Sequence, residues 1–246
     1  MTRILLTLVA ASLMTIVLSS CSSERRDNED EQNESKTDGK SGWITLFDGT
    51  STDGWRGFNS EVVPPNWIIE EGTLKSLGSG GHMGGDIVYG EKKFSNFELE
   101  LEWKVSAGGN SGIFYHVVEG DKYKSPYENA PEYQLVDNLG FPEPLKNWQM
   151  VGADYAMYPA DSTKGVVKPA NEWNTSKIIF TEKLVEYWLN GEKVVAFVPW
   201  SADWAARKNN GKWKDYPDYG KAKSGLIGVQ DHGSFIWFRN IRIKEL

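Results

Sequence analysis

The stretch from Phe94 to Val105 constrains this chain more than any other. Phe97, Leu99, Leu101, Trp103 and Val105 alternate with Glu98, Glu100, Glu102 and Lys104. Successive side chains of a strand point to opposite faces, so this pattern predicts a long strand with one dry face and one wet face. Such a strand needs a second apolar layer to cover it. The acids Glu98, Glu100 and Glu102 would form a comb of proton-transfer groups on paper. A solvated sheet face is the stronger reading.

The stretch from Gly108 to Asn138 is organised around that strand. A glycine turn at Gly108 and Gly109 feeds a β-branched and aromatic run, Ile113 to Val118. A proline-marked loop follows, then the short alternating strand Glu132-Tyr133-Gln134-Leu135, closed by Asp137 and Asn138. Tyr133 and Leu135 share one face, and Glu132 and Gln134 share the other. A carboxylate and an amide on one face predict a polar groove over an apolar core. By the same alternation His116 falls opposite Ile113, Tyr115 and Val117, where it either faces the groove or packs as a satisfied core histidine.

Around these elements the sequence reads as more short strands. Ile44–Phe47 ends at the turn pair Asp48-Gly49. Glu71-Gly72 and Asn190-Gly191 read as hairpin turns, joining Trp67–Glu70 to Thr73–Leu77 and Val185–Leu189 to Val194–Val198. Lys177–Phe180 alternates as well. Residues 79–85 form a glycine loop carrying His82, without the lysine and following helix of a phosphate loop. Residues 147–159 read as an aromatic loop over the groove, with Tyr155 as a sugar contact. Residues 199–223 hold Trp200, Trp204, Trp213, Tyr216 and Tyr219, with one or two helical turns at Ser201–Arg207. A loop of that length in a compact domain points to function. Near the C-terminus two strands flank Asp231-His232-Gly233-Ser234. There His232 either sits in a self-capped turn or acts as a general acid/base or metal ligand, and the second reading is favoured. Many short strands and few helix signals predict an all-β sandwich of two packed sheets.

A net charge of −7 argues against a nucleic-acid surface. Eleven tryptophans suit either an aromatic β core or sugar-binding platforms. Met1-Thr2-Arg3 and the apolar run Ile4–Leu18 read as a signal peptide (residues 1–20) rather than a spanning helix. Leu18-Ser19-Ser20-Cys21 resembles a bacterial lipobox, which implies lipidation of Cys21 and anchoring in the cell envelope, periplasmic or surface-facing. Cys21 is the chain's one cysteine, so the domain beyond it has no thiol for disulfides, nucleophilic attack or metal binding. Residues 21–42 read as an acidic tether, and residues 43–246 as one domain.

Four motifs in order, GGNSGIFYHV, PEYQLVDN, VEYWLNGEKV and QDHGSFIWFRNIRI, resemble the 3-keto-disaccharide hydrolase domain family across essentially all of residues 43–246. The resemblance implies a concanavalin A-like jelly roll and action on sugars oxidised at C3. A C3 ketone acidifies the C2 proton. A base removes it, the C1 substituent leaves by β-elimination, and water adds back. Such a site needs a tuned base and a group that stabilises the enolate. A divalent cation would be a suitable Lewis acid, and no organic cofactor is implied. Residues 132–137 lack the Glu-x-Asp-x-x-Glu strand motif of laminarinase-type enzymes, because Gln134 stands where the central acid belongs.

Motif position and residue chemistry then assign roles. Glu132 is base or metal ligand, and His232 is its acid/base partner or a second ligand. Asn110, Gln134 and Arg239 hold sugar oxygens, Tyr155 stacks on or bonds to the ring, and His116 is a further substrate contact. Asp137 is a third catalytic group or a turn acid, and Arg239 is alternatively a strand arginine paired across its sheet. The competing function is a non-catalytic carbohydrate-binding lipoprotein. Expressed as the full chain in a Gram-negative host, the protein should incorporate labelled palmitate, and Cys21→Ser should abolish the label.

Overall fold

The computed structural model describes residues 37–38, 42–79 and 85–246. The lipobox with Cys21, most of the tether and His82 lie outside those residues. In chain order the strands are β1 (Thr37–Asp38), β2 (Trp43–Phe47), β3 (Trp55–Gly57), β4 (Trp67–Glu70), β5 (Thr73–Leu77), β6 (Ile87–Phe94) and β7 (Phe97–Val105). They continue as β8 (Asn110–Val117), β9 (Glu132–Val136), β10 (Asn174–Phe180), β11 (Val185–Leu189), β12 (Glu192–Phe197), β13 (Gly225–Val229) and β14 (Phe235–Glu245). Among the described residues there is one α-helix, α1 (Ala202–Asn210), and short 3-10 turns at Pro126–Glu128, Asn147–Gln149 and Lys212–Asp215.

The strands form two antiparallel sheets packed as a jelly-roll sandwich. The larger runs β1-β2-β14-β7-β10-β11-β12, with β5 joined to β14 and β4 to β5; the smaller runs β3-β6-β13-β8-β9. The long alternating strand β7 lies between β14 and β10 and sets the core. Phe97, Leu99, Leu101, Trp103 and Val105 are all buried, each contributing on the order of 1.5–3 kcal/mol by leaving water. The intervening residues are partly exposed on the outer face. There Glu100 pairs with Arg242 and Lys177, Glu102 with Arg239, and Glu98 with Lys177. Trp103 donates its Nε1–H to Ser176 Oγ at 2.9 Å, so the buried indole is satisfied.

Several boundaries differ from the sequence reading. β7 begins at Phe97, and Phe94 instead ends β6, a strand the sequence reading omits along with β3. β6 escapes a period-two reading because Ile87, Val88 and Tyr89 are consecutive and all buried. Thr37–Asp38, inside the stretch read as tether, pairs with Trp43–Ile44. The helix runs to Asn210, one turn beyond the expected Arg207, and starts where Ser201 Oγ accepts from Trp204 N. Both predicted hairpin turns carry left-handed pairs, Glu71-Gly72 and Asn190-Gly191.

His116 departs most from strict alternation. It adopts φ 56°, and the β8–β13 register shifts beside it. This bulge turns Tyr115 and His116 both inward, against Phe97 and Phe180. Val117 therefore lies on the opposite face with Phe114 and Leu226. His116 Nε2 lies 2.9 Å from Ser95 O, and burial lowers its pKa to about 4. It is a neutral core histidine, not a substrate contact. The bulge requires Gly225 opposite, since a Cβ there would collide with the His116 carbonyl carbon and lie 2.6 Å from its Cα. Gly225→Ala should cost about 1–3 kcal/mol and lower Tm by roughly 2–12 °C, measured by thermal unfolding.

Candidate active site

The site forms on the face of the smaller sheet turned away from the core. In the β8–β9 ladder, Gly112 pairs with Gln134 and Phe114 with Glu132. Ile113, Tyr133 and Leu135 point into the sandwich, leaving Glu132 and Gln134 on the other face with Asn110. The Glu132 side chain folds across β8 over Gly112. A Cβ there would collide with Glu132 Oε1 and lie 2.8 Å from its Cδ, so only glycine leaves this cradle open.

Residues 152–155 hydrogen-bond along the outer edge of β9. Gly152 N donates to Gln134 O at 2.9 Å, Gln134 N to Ala153 O at 3.0 Å, and Tyr155 N to Glu132 O at 3.0 Å. This covers the sheet edge and holds Tyr155 at the site. Trp213 Nε1 donates to Tyr155 O at 3.0 Å. Trp213 also stacks on Tyr219 at 4.2 Å, and Trp204 stacks on Tyr219 at 6.3 Å. These aromatics are buried in the sandwich's hydrophobic core rather than exposed as sugar platforms. Their packing delivers Lys212, whose ammonium lies 4.2 Å from the Tyr155 ring centroid and 4.8 Å from that of Trp213.

The result is a cavity of about 390 Å³, near the lower end of ligand-pocket sizes. Its floor is Glu132, Gln134 and Asn110. Lys212, Gln230 and His232 line its sides, with three tyrosines, Tyr127, Tyr155 and Tyr216. Three carboxamide oxygens among these, Asn110 Oδ1, Gln134 Oε1 and Gln230 Oε1, are buried without a protein partner. A buried acceptor left unpaired costs about 1–3 kcal/mol, so these oxygens favour a hydrogen-bond donor beside them.

The electrostatics centre on Glu132, which is 4 % exposed. Burial pushes its carboxyl up to about 8; Lys212 pulls it down, while Asp86 and Asp154 push it further up. Burial lowers the Lys212 ammonium, and the Glu132 charge opposes that shift. Burial also raises Asp86 to about 7, against a hydrogen bond from Asp231 N at 2.9 Å. Asp231 accepts from Asn66 Nδ2 at 2.6 Å and from Gly233 N at 2.9 Å. The acid beside His232 thus caps its own turn, and that turn presents His232 to the cavity.

Five of the residues singled out in the sequence, Glu132, His232, Asn110, Gln134 and Tyr155, line this one cavity. Three do not. Asp137 Oδ2 accepts from Gly108 N at 2.9 Å and Oδ1 from Leu139 N at 3.2 Å, which makes it a turn acid. His116 is in the core. Arg239 lies on the outer face of the larger sheet, giving Nε and Nη2 to Glu102 Oε2 at 2.8 and 2.7 Å. The sequence alone does not single out Lys212, Gln230 or Tyr127, and it marks Tyr216 only as one of the aromatics of the 199–223 loop. Gln230 had a usable signal, since it directly precedes the Asp231-His232 turn. Lys212 had none, being one lysine among several in an irregular segment. Among the described residues, no group of three or more His, Cys, Asp or Glu is placed to hold a metal ion.

A jelly-roll sandwich with an aromatic-walled, carboxamide-lined cavity over one sheet is a carbohydrate-active β-sandwich. Residues 42–244 match the family described as the 3-keto-alpha-glucoside-1,2-lyase-like domain, and the chain belongs to that family. It is 40 % identical over 231 residues to a 3-keto-disaccharide hydrolase of Bacteroides thetaiotaomicron, spanning 83 % of this chain and 79 % of that protein. A solved structure from Parabacteroides distasonis, provisionally designated a glycosyl hydrolase, superposes with TM-score 0.77 at 40 % identity, covering 89 % of this chain and 97 % of that one. A second so designated from the same organism gives TM-score 0.63 at 26 % identity, covering 83 % and 99 %. This kinship supports glycosidic-bond cleavage as the activity.

The raised Glu132 pKa has a consequence for stability. The folded state binds the Glu132 proton more tightly than the unfolded chain does. That contribution is fully present below the unfolded value near 4.3 and is lost as pH rises through about 8. Glu132→Gln removes the titration. The Tm of the variant minus that of wild type should therefore increase between pH 6 and pH 9. A flat difference would mean that Glu132 is not buried as described.

Proposed function

We propose that the chain cleaves the glycosidic bond of 3-keto-glycosides by elimination and rehydration. The observation that carries this reading is a buried, proton-retaining carboxyl, Glu132, sharing a cavity with an ammonium, Lys212, and three unpartnered carboxamide oxygens. Ordinary retaining or inverting hydrolysis uses two carboxyl groups flanking the bond, and among the described residues Glu132 is the single carboxyl residue lining this cavity. A carbon acid beside a ketone instead needs one strong base and a cationic group at the enolate oxygen.

Glu132 takes the C2 proton, and the C–H electron pair becomes the enolate, spread onto the C3 oxygen. Lys212 stabilises that oxygen. The enolate collapses, the C1–O bond breaks, and His232 gives a proton to the departing oxygen, leaving an enone between C1 and C3. Water then adds at C1, C2 regains a proton, and the net reaction is hydrolysis. Asn110, Gln134 and Gln230 accept from sugar hydroxyls, and the tyrosines pack against the ring. A base is most effective with a pKa near the working pH, and burial places Glu132 there. In the alternative in which Glu132 and His232 hold a divalent cation instead of moving protons, the carboxamide oxygens would complete its ligand set and the cation would supply Lewis-acid polarisation of the ketone. The enzyme would work from a lipid anchor at Cys21 in the cell envelope.

Incubation of residues 43–246 with 3-keto-trehalose and with a 3-keto-β-glucoside, with and without EDTA, should release 3-ketoglucose by mass spectrometry. The unoxidised sugars should give none. The rate should climb with pH through a limb near 8, as Glu132 becomes the free base. Glu132→Gln should lower kcat/KM at least about a hundredfold with the fold intact. Loss of turnover with EDTA would add the cation. Saturable sugar binding without release would replace the enzyme reading by a carbohydrate-binding module.

A further inference from the structure

A second groove, of about 610 Å³, crosses the outer face of the larger sheet, on the opposite side of the sandwich from the catalytic cavity. Asp48, Glu100, Glu102, Lys177, Trp188 and Arg242 line it. Two interruptions of an otherwise regular ladder build it. In β14 the pairing with β7 shifts between Arg239 and Arg242, where Asn240 adopts φ 52°. Arg239, Asn240 and Arg242 consequently all bond outward, to Glu102, Glu102 and Glu100. In β11 the pairing with β12 shifts between Tyr187 and Trp188, at the groove's aromatic wall. Bulges commonly re-aim side chains at functional sites.

The charged residues lining the groove, Asp48, Glu100, Glu102, Lys177 and Arg242, are largely paired with one another. Glu100 Oε2 accepts from Arg242 Nε at 3.1 Å and Nη2 at 2.6 Å, and Lys177 lies 3.5 Å from Glu100 Oε1. Glu102 holds Arg239 through Oε2 and Asn240 through Oε1, the latter at 2.7 Å. Trp188 is half-buried. Its indole N–H reaches Glu186 Oε2 at 3.3 Å, and the Lys177 and Lys193 ammoniums lie 5.3 and 5.8 Å from its ring centroid. Acids and bases nearly cancel along the lining, which disfavours an anionic or cationic guest. Planar groups already locked in pairs lose little entropy on binding, and they offer donors and acceptors side by side. That combination, with one fixed indole face, suits vicinal hydroxyls and a pyranose ring.

We propose that this groove is a non-catalytic binding site for a neutral oligosaccharide, separate from the cavity that holds Glu132. It would keep the domain on a glycan while the opposite face acts on small glycosides. The site stands whether or not the elimination chemistry is correct.

The test is binding of cellohexaose, laminarihexaose and maltohexaose to residues 22–246, by calorimetry and tryptophan fluorescence. At least one should bind to wild type and to Glu132→Gln with the same affinity. Trp188→Ala should weaken it at least tenfold without changing turnover of 3-keto-trehalose. Thr45→Trp adds an indole on an exposed strand position in the groove. It should block binding while removing no contact, which covers the case in which Trp188→Ala misfolds. No binding of any of the three would overturn the proposal. So would binding that survives both groove variants, or binding lost instead in Gln230→Ala, which would place the glycan in the catalytic cavity.

Discussion

The β8–β9 ladder holds two incompatible environments one side chain apart. Ile113, Tyr133 and Leu135 are excluded from water inside the sandwich, while Glu132 and Gln134 alternate to the far side of the same strands. The ladder keeps this separation because a one-residue slip would exchange the faces, putting a carboxyl in the core and aromatics in the cavity. Every other part of the site depends on that fixed register. The Gly112 cradle, the 152–155 edge and the Lys212 turn all close on a carboxyl whose position is already set.

Burial then converts a surface-type acid into a chemical tool. Residues 152–155 and the 199–223 excursion take water from Glu132 and raise its pKa. The same excursion returns one cation, Lys212, held over Tyr155 and Trp213. The stacked Trp204, Tyr219 and Trp213 join the sandwich's hydrophobic core, which anchors a long irregular connection as one wall of the cavity. Of the eleven tryptophans, Trp55, Trp67, Trp103, Trp204 and Trp213 are buried, and the cavity itself is walled by tyrosines. A phenol supplies both a ring face and a hydroxyl, so these walls are apolar and hydrogen-bonding at once.

The sequence was read most accurately where a rule is local and repeats. β7, the two left-handed hairpin turns and the face shared by Glu132 and Gln134 follow from period two and from turn chemistry. It was misread where one residue breaks the period. Alternation leaves His116 either in the groove or as a core histidine, and a left-handed bulge opposite Gly225 puts it in the core. β6 was passed over because three consecutive buried residues hide a strand from a period-two reading. Asp137 and Arg239 were chosen for their chemistry, and both are held by structural partners, a turn and Glu102. A residue's type does not reveal its partner.

By itself, the sequence determined the fold class, the family motifs, and which strand carries an acid beside an amide. These are matters of covalent order and short-range backbone preference. Tertiary structure alone decided which polar groups meet. His232, Gln230 and Lys212 come from segments distant in sequence and converge on Glu132 only through sheet order and the docking of an irregular excursion. The proton affinity of that carboxyl was decided there too, because desolvation is a property of everything packed around a group rather than of the group or its neighbours in the chain.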